Sequence, residues 1–279
     1  MMFRGFYTAA SGMLTQQRHA EMLTNNLSNA NTPGFKTDQA SVRSFPEMLM
    51  QRMGQKVTTP NGKISLPMYS QVGLLSTGVY MQEATPLYTQ GDIQETQLAT
   101  DLAIVNGNLP VNQENGKPGT LLFVVENSAG EASYTRNGNF TLDGAGYLTT
   151  ASGNYVLDDN NNRIRLNSEN FSVSEEGMIV ENNQPVARVG IAFAEDPYQL
   201  IKEGDGLFRA KKGAILANGY NTAGVSFNVK QGYLEGSNVD QAQTMTDMLT
   251  AYRTFEANQK ILQAYDKSMD KAVNEIGRL

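Results

Sequence analysis

Apolar and small side chains recur every three or four residues at both ends of the chain, and the middle loses that rhythm. Near the N-terminus, Phe3, Phe6, Ala10, Met13, Ala20 and Leu27 fall on one stripe, with Gln17 and Thr24 as polar interruptions. No proline breaks it, so the spacing predicts a helix from Phe3 to Leu27. The pattern stops at Asn29-Ala30-Asn31-Thr32-Pro33-Gly34. There Pro33 disfavours helical backbone at Thr32, and Gly34 permits a turn.

The C-terminal pattern is more regular. Ser237-Asn238-Val239-Asp240 offers an N-cap, and neither Gly nor Pro follows until Gly277. Positions 241, 245, 248, 252, 255, 259, 262, 266, 269, 273 and 276 alternate spacings of four and three. Most are apolar, including Met245, Met248, Tyr252, Phe255, Leu262 and Met269, which suits a coiled-coil seam. At 1.5 Å per residue, a helix from Val239 to Ile276 is about 57 Å long. Such a rod outruns any cover its own small domain could give, so it calls for a second helix beside it. The alternative is a long amphipathic helix packed on a globular core.

From about Tyr80 to Tyr233 the chain reads as antiparallel β structure. Short runs of β character lie at Leu102–Val105, Leu121–Val125, Asn139–Leu142, Val186–Phe193 and Val225–Val229. Among them fall Asn-Gly pairs beginning at Asn106, Asn115, Asn137 and Asn218, and Asp-Gly pairs at Asp143 and Asp205. These dipeptides supply the positive φ angles of hairpin turns. The stretch from Gly54 to Gly78 has no clear period and reads as an extended or mobile connector. The expected fold class is α+β, an antiparallel β-rich middle flanked by two helices. The divisions are an N-terminal helix with the signature after it over 1–36, a connector over 37–79, the β domain over 80–233 and a C-terminal helix over 234–279.

Composition narrows the chemistry. The 279 residues carry 22 Lys and Arg against 28 Asp and Glu, a net charge of −6. That balance argues against nucleic acid as a partner, because phosphate binding needs clustered positive charge. There is no cysteine, which excludes disulfides, thiolate catalysis and cysteine–zinc sites, and there is one histidine. The longest apolar runs, such as Leu121–Val125, are far short of the ~20 residues that span a bilayer. Polar residues from Thr8 to Gln17 interrupt any cleaved export segment, so membrane insertion and signal cleavage are not expected.

Enzyme motifs fare poorly. No GxxxxGK[ST], GxSxG or HExxH pattern occurs, and His19 sits in a polar stretch beside Arg18 and Glu21, as a solvated or interface residue would. Asp101, Asp143, Asp158, Asp159, Glu175 and Glu176 could in principle supply a glycosidase pair. Turn chemistry accounts for Asp143, and loop solvation for the adjacent pairs. Asp158, Asn160, Asn162 and Glu169 match positions 1, 3, 5 and 12 of a calcium loop, but Arg163 stands where the sharp turn needs glycine. A polar hairpin loop is the better account, and no metal or cofactor is expected.

The two ends carry a family resemblance. Leu23-Thr24-Asn25-Asn26-Leu27-Ser28-Asn29-Ala30-Asn31-Thr32-Pro33-Gly34-Phe35-Lys36 resembles the N-terminal signature of bacterial flagellar rod and hook proteins. Tyr7-Thr8-Ala9-Ala10-Ser11-Gly12-Met13 resembles the stretch before it in distal-rod proteins. Gln231-Gly232-Tyr233-Leu234-Glu235-Gly236-Ser237-Asn238-Val239, continued by Tyr252–Lys260, is similar to the family's C-terminal motif. In the middle, Thr100–Ile104, Tyr134–Asp143 and Gly204–Phe208 resemble its β-domain motifs. Phe45-Pro46-Glu47-Met48-Leu49 and Ala264–Met269 are similar to rod paralogues of Gram-positive bacteria.

The resemblance implies a polymer subunit of the flagellar basal body. In the family the two terminal helices pair and build the inner tube, with the β domain outside. The implied partners are copies of the chain, neighbouring rod and hook subunits and the flagellar export apparatus, which takes subunits without signal cleavage. Phe3, Phe6, Met13, Asn25, Asn26, Leu27, Asn29, Met245, Met248, Tyr252, Phe255, Gln259, Leu262 and Met269 are the expected interface residues. Polar Gln17, Thr24 and Gln259 on the seams would trade stability for register. With seams satisfied only by neighbours, the terminal segments are expected to be poorly ordered in an isolated monomer. A competing reading without catalysis is an exported adhesin or binding module, a β head on a helical stalk.

Overall fold

Strand Thr120–Glu126 organises the larger part of the protein, and it is buried along nearly its whole length. Leu121, Phe123 and Val125 enter the main apolar core, while Leu122 and Val124 enter a second core with Tyr134 and Phe208. Burial on both faces explains why this run is continuously apolar rather than alternating. The strand pairs antiparallel with Ala132–Thr135 on one edge. Its other edge holds Ile191–Ala194 and, further along, Tyr155–Val156. These belong to a nine-stranded sheet. A three-stranded meander, Phe171–Val173, Met178–Glu181 and Gln184–Arg188, sends Phe171 and Ile179 into the main core.

The computed structural model describes residues 2–46, 48–53, 57–58, 65–66, 69–75, 77–113, 116–168 and 170–276. Glu47, Asn115, Glu169 and Gly277, which entered the sequence argument, lie outside them, as do several positions of the 54–78 stretch. The chain forms two compact units. One comprises Met1–Asn25, Gln39–Thr85 and Ala242–Leu279; the other comprises Asn26–Asp38 and Pro86–Gln241 and holds the β-rich middle. The fold class is α+β, with a helix at each end.

The turn dipeptides divide into two groups. Asp205 and Gly206 both have positive φ and close the hairpin between Leu200–Lys202 and Leu207–Ala210. Asp143 accepts the backbone N–H groups of Ala145 and Tyr147 at 2.9 and 2.7 Å and closes Phe140–Leu142 onto Leu148–Thr150. The pairs at Asn106, Asn137 and Asn218 are not positive-φ turns, contrary to expectation. Their glycines serve close backbone packing: a Cβ on Gly138 would lie 1.6 Å from the Leu102 carbonyl oxygen, and one on Gly107 would lie 2.8 Å from that of Ser226. Asn182-Asn183, with φ of 52° and 60°, makes a hairpin turn that no Asn-Gly rule finds. Val186–Phe193 likewise divides into two strands in different sheets, at Gln184–Arg188 and Ile191–Ala194.

Gly138→Ala tests the packing role directly. Overpacking against fixed backbone costs about 1–3 kcal/mol. The melting temperature of the full chain should fall by several degrees, and Gly144→Ala, where a Cβ meets nothing within 4 Å, should leave it nearly unchanged. Equal melting temperatures for the two variants would refute the assignment.

The smaller unit contains all but the end of helix α1 (Met2–Ser28) and all but the first residue of α2 (Gln241–Lys271), the latter followed by a π turn at Ala272–Ile276. Strands Asp38–Ser44 and Val79–Pro86 pair, and Thr15 Oγ1 of α1 donates to the Val79 carbonyl at 3.1 Å. Met48–Met53 pairs with Tyr69–Leu75, and Val57–Thr58 with Ser65–Leu66. The stretch without sequence period thus carries antiparallel strand pairs.

Candidate assembly surface

Helices α1 and α2 pack antiparallel against each other within one chain. Gly5 lies against Tyr265, Gly12 against Asn258, Ala20 and Leu23 against Ala251, and Thr24 against Met248. A Cβ at Gly5 would lie 1.9 Å from the Tyr265 hydroxyl, and one at Gly12 would lie 3.1 Å from the Asn258 amide nitrogen. Glycines seven residues apart therefore let two helices approach where larger side chains would separate them. Each stripe thus covers part of the other within one chain, where the sequence reading left both seams to neighbouring subunits.

The buried or half-buried face of α2 runs through Thr244, Met248, Ala251, Phe255, Asn258, Leu262, Tyr265 and Met269, and Met248, Ala251, Phe255, Asn258 and Tyr265 of it meet α1 or the groove beside it. Four of these, Met248, Phe255, Leu262 and Met269, belong to the seam read from the sequence. The other half of that seam points away: Met245 and Tyr252 are about half exposed and Gln259 is exposed. The reason is steric. Small Ala251 permits close approach to Ala20, whereas a tyrosine at the neighbouring flank does not. Leu249, 57% exposed, extends the outward strip.

Beside the helix contact runs a groove of about 410 Å3. Gln16, Gln17, Ala20 and Thr24 of α1 form one wall, and Tyr252 and Phe255 of α2 the other. The polar seam positions Gln17 and Thr24 thus open onto the groove, with Gln17 also donating to Glu21 at 3.0 Å. Phe6, Met13 and Leu27 are half-buried, and the side chain of Phe3 lies outside the described residues. The three asparagines separate: Asn25 is exposed, Asn29 is half-buried beside Thr32, and Asn26 is buried. Asn26 exchanges two 2.9 Å hydrogen bonds with the Asp38 backbone and so acts within its own chain.

The terminal signatures meet elsewhere, at a buried ion cluster in the β unit. Glu235, from strand Tyr233–Glu235, pairs with Lys36 through one carboxylate oxygen and with the Arg136 Nε at 2.7 Å through the other. All three residues are 2% exposed. The Arg136 guanidinium also donates to the Leu121 and Ile104 carbonyls and to Asn106, and Lys36 donates to the Thr89 carbonyl at 2.7 Å. Gly34, at φ +70°, donates its N–H to the Glu235 carbonyl at 2.7 Å, and a Cβ there would strike the Arg136 backbone at 2.5 Å. Asn238 accepts from the Thr37 N–H and donates to the Leu87 and Thr89 carbonyls.

Burial pushes the Glu235 carboxyl up, but Arg136 and Lys36 outweigh it and hold the group below the usual carboxylate range. Burial pushes the Lys36 amine down, Glu235 opposes this and Arg136 adds to it, leaving it below its ordinary value. Both shifts give stability the same slope. Glu235 contributes above the ordinary carboxyl range and loses its contribution as pH falls through its lowered value. The charged Lys36 carries a cost that is relieved as pH rises from its lowered value toward 10.5.

Lys36, Arg136 and Glu235 stood inside quoted motifs without being singled out. The available signal was a charged residue within two positions of Gly or Asn in each motif, which periodicity does not weigh. The carboxylates considered for catalysis do turn or loop work where hydrogen bonds engage them. Asp158, for example, accepts from the N–H groups of Asn160 and Asn162 at 2.8 and 2.7 Å. Among the described residues, no group of three or more His, Asp or Glu could hold a metal ion, and no helix is long and apolar enough to cross a membrane.

Comparison with known proteins matches the same segments. Residues 6–36 match the flagella basal body rod protein family, residues 119–181 the D1 domain of flagellar hook proteins FlgE/F/G, and residues 230–275 the C-terminal region of flagellar basal body rod FlgEFG proteins. The flagellar hook-basal body complex protein FlhO of Bacillus subtilis is 41% identical over 278 residues, covering all of both chains. The flagellar basal-body rod protein FlgG of Borreliella burgdorferi is 30% identical over 284 residues, 98% of each chain. FlgG of Bacillus subtilis is 30% identical over 288 residues, 98% of this chain and 99% of the relative.

Proposed function

This chain belongs to the flagellar basal-body rod protein family, as a structural subunit of the hook–basal body resembling rod paralogues of Gram-positive bacteria, and from that premise we propose that it polymerises through its terminal helices. The observation that supports this is the groove flanked by Tyr252 and Phe255, beside an outward strip of Met245, Leu249 and Tyr252. A helix pair closed on one face and apolar on the next is suited to seat a helix of another subunit.

The partners in this reading are further copies of the chain and neighbouring rod and hook subunits. Delivery runs through the flagellar export apparatus, with the N-terminus uncleaved. Catalysis has no part in it. The assembled shaft links motor to hook, and Phe6, Met13, Met245, Tyr252 and Gln259 lie in or near the subunit contacts.

Purified hook–basal bodies from the source cells, analysed by mass spectrometry, test this reading. The chain should be present in stoichiometric amount, with peptides from both termini. Its absence from intact bodies, with abundant protein elsewhere in the culture, would refute it.

A further inference from the structure

We propose that Lys36, Glu235 and Arg136 form an acid-released clasp, which holds residues 29–38 and 235–240 onto the β unit separately from its apolar core. Glu235 is faced by Lys36 from the segment after α1 and by Arg136 from the residue after strand Ala132–Thr135. The Gly91 N–H reaches it at 3.2 Å from the turn before Ile93–Glu95. The remaining contacts of the two cations are the carbonyls of Thr89, Ile104 and Leu121 and the side chain of Asn106, none of which titrates. Glu235 is the single carboxylate bonded to the Lys36 and Arg136 side chains; at the edge of the segment Lys202 donates to the Lys36 carbonyl at 3.3 Å and pairs with the half-buried Asp38 at 2.8 Å.

That imbalance makes the carboxylate decisive. One added proton leaves two buried cations with no anion, and neither can reach water while the clasp is closed. Opening hydrates both at once. The hydrogen bonds lost are peripheral: Gly34 N–H to the Glu235 carbonyl, Gly236 N–H to the Asp92 carbonyl, and Thr37 N–H to the Asn238 side chain, each 2.7 Å. The core hydrogen bonds from Val124 N–H to Gly190 and from Leu157 N–H to Val124 involve other residues, and the side chains of the cluster belong to neither apolar core. The lowered carboxyl of Glu235 sets the release below the ordinary carboxylate range. The residues that open are those that follow one helix and precede the other, so acid loosens the roots of both before it reaches the sheet.

Hydrogen exchange on the dilute full-length chain, corrected for intrinsic rates, tests the clasp. In Glu235→Gln at neutral pH, protection at Gly34, Thr37 and Gly236 should fall on the order of tenfold or more beyond any fall at Val124 and Leu157, which follow only the lowered global stability. The unaltered protein near pH 3, roughly one unit below the ordinary carboxyl value, should show the same selective loss. Lys36→Met leaves one anion against one cation, and its neutral-pH protection at the three amides should survive. Uniform loss across clasp and core would mean that the cluster is part of the core. No loss in Glu235→Gln or in acid would mean that the charge holds nothing. Either result overturns the proposal, as does a loss in Lys36→Met equal to that in Glu235→Gln.

Discussion

Glu235→Ala should lower the melting temperature of the β unit by about 10 °C. The substitution removes the one carboxylate of a cluster whose members are 2% exposed, and it leaves Lys36 and Arg136 buried together. Removing one partner of a buried ion pair costs about 3–5 kcal/mol, because the charge left behind has neither water nor counter-ion. For a unit of this size each kcal/mol shifts the midpoint by roughly 2–4 °C. Calorimetry of the full-length chain measures the shift. The combined change of Lys36, Arg136 and Glu235 to apolar residues of similar volume should recover much of the loss, since no charge then remains buried. A fall of less than about 2 °C for Glu235→Ala would show that solvent reaches the cations and that the cluster contributes little.

The second large effect separates assembly from folding at adjacent positions of one helix. Tyr252 is 48% exposed and lines the groove; Ala251 is 2% exposed and touches Ala20 and Leu23. Tyr252→Asp should leave the helix pair of the monomer intact, because the aspartate is solvated there. Under the proposed assembly that position is covered by a neighbouring subunit, and a desolvated, unpaired carboxylate there costs several kcal/mol. The concentration needed for assembly should rise by about 100-fold, equivalent to roughly 3 kcal/mol. Ala251→Asp should lower helical content in the monomer itself. Sedimentation for assembly and circular dichroism for helicity read the two effects independently. Normal polymerisation of Tyr252→Asp would remove the groove from the subunit contact. Phe255 and Leu262 lie on the half-buried face of α2, so aspartate at either position would disturb both levels together.

Periodicity made both helices legible, and β-rich composition made the middle legible, because each reports burial of one face or both. The choice between flanks of α2 was not legible. Met245 and Tyr252 are more apolar than Thr244 and Asn258, so hydrophobicity alone ranks the wrong flank as the inner one. What decides is the close approach permitted by Gly5, Gly12 and Ala20 on the other helix, a property of the pair rather than of either sequence segment. Turn dipeptides failed for a related reason. Gly138 and Gly107 are small because a backbone carbonyl passes them, and a dipeptide rule cannot distinguish that need from a need for positive φ. The ion cluster was hidden because its members are separated by about a hundred residues each, and charged side chains carry no periodic signal of burial.

The clasp also constrains how this chain can vary. Its three charges come from three distant stretches, and each is bonded to the backbone of yet another. A single codon change at Glu235 strands two cations, while one at Arg136 strands two carbonyls and leaves Asn106 without its guanidinium. Descendants that abandon the cluster must therefore cross a valley of poorly folded intermediates or change several positions nearly together. Random mutagenesis under selection for swimming should leave these sites almost untouched, while the exposed loop around Ile215 drifts freely. Swapping β units between paralogues should succeed when the Arg136, Lys36 and Glu235 equivalents travel as a set, and fail when the joint runs between them.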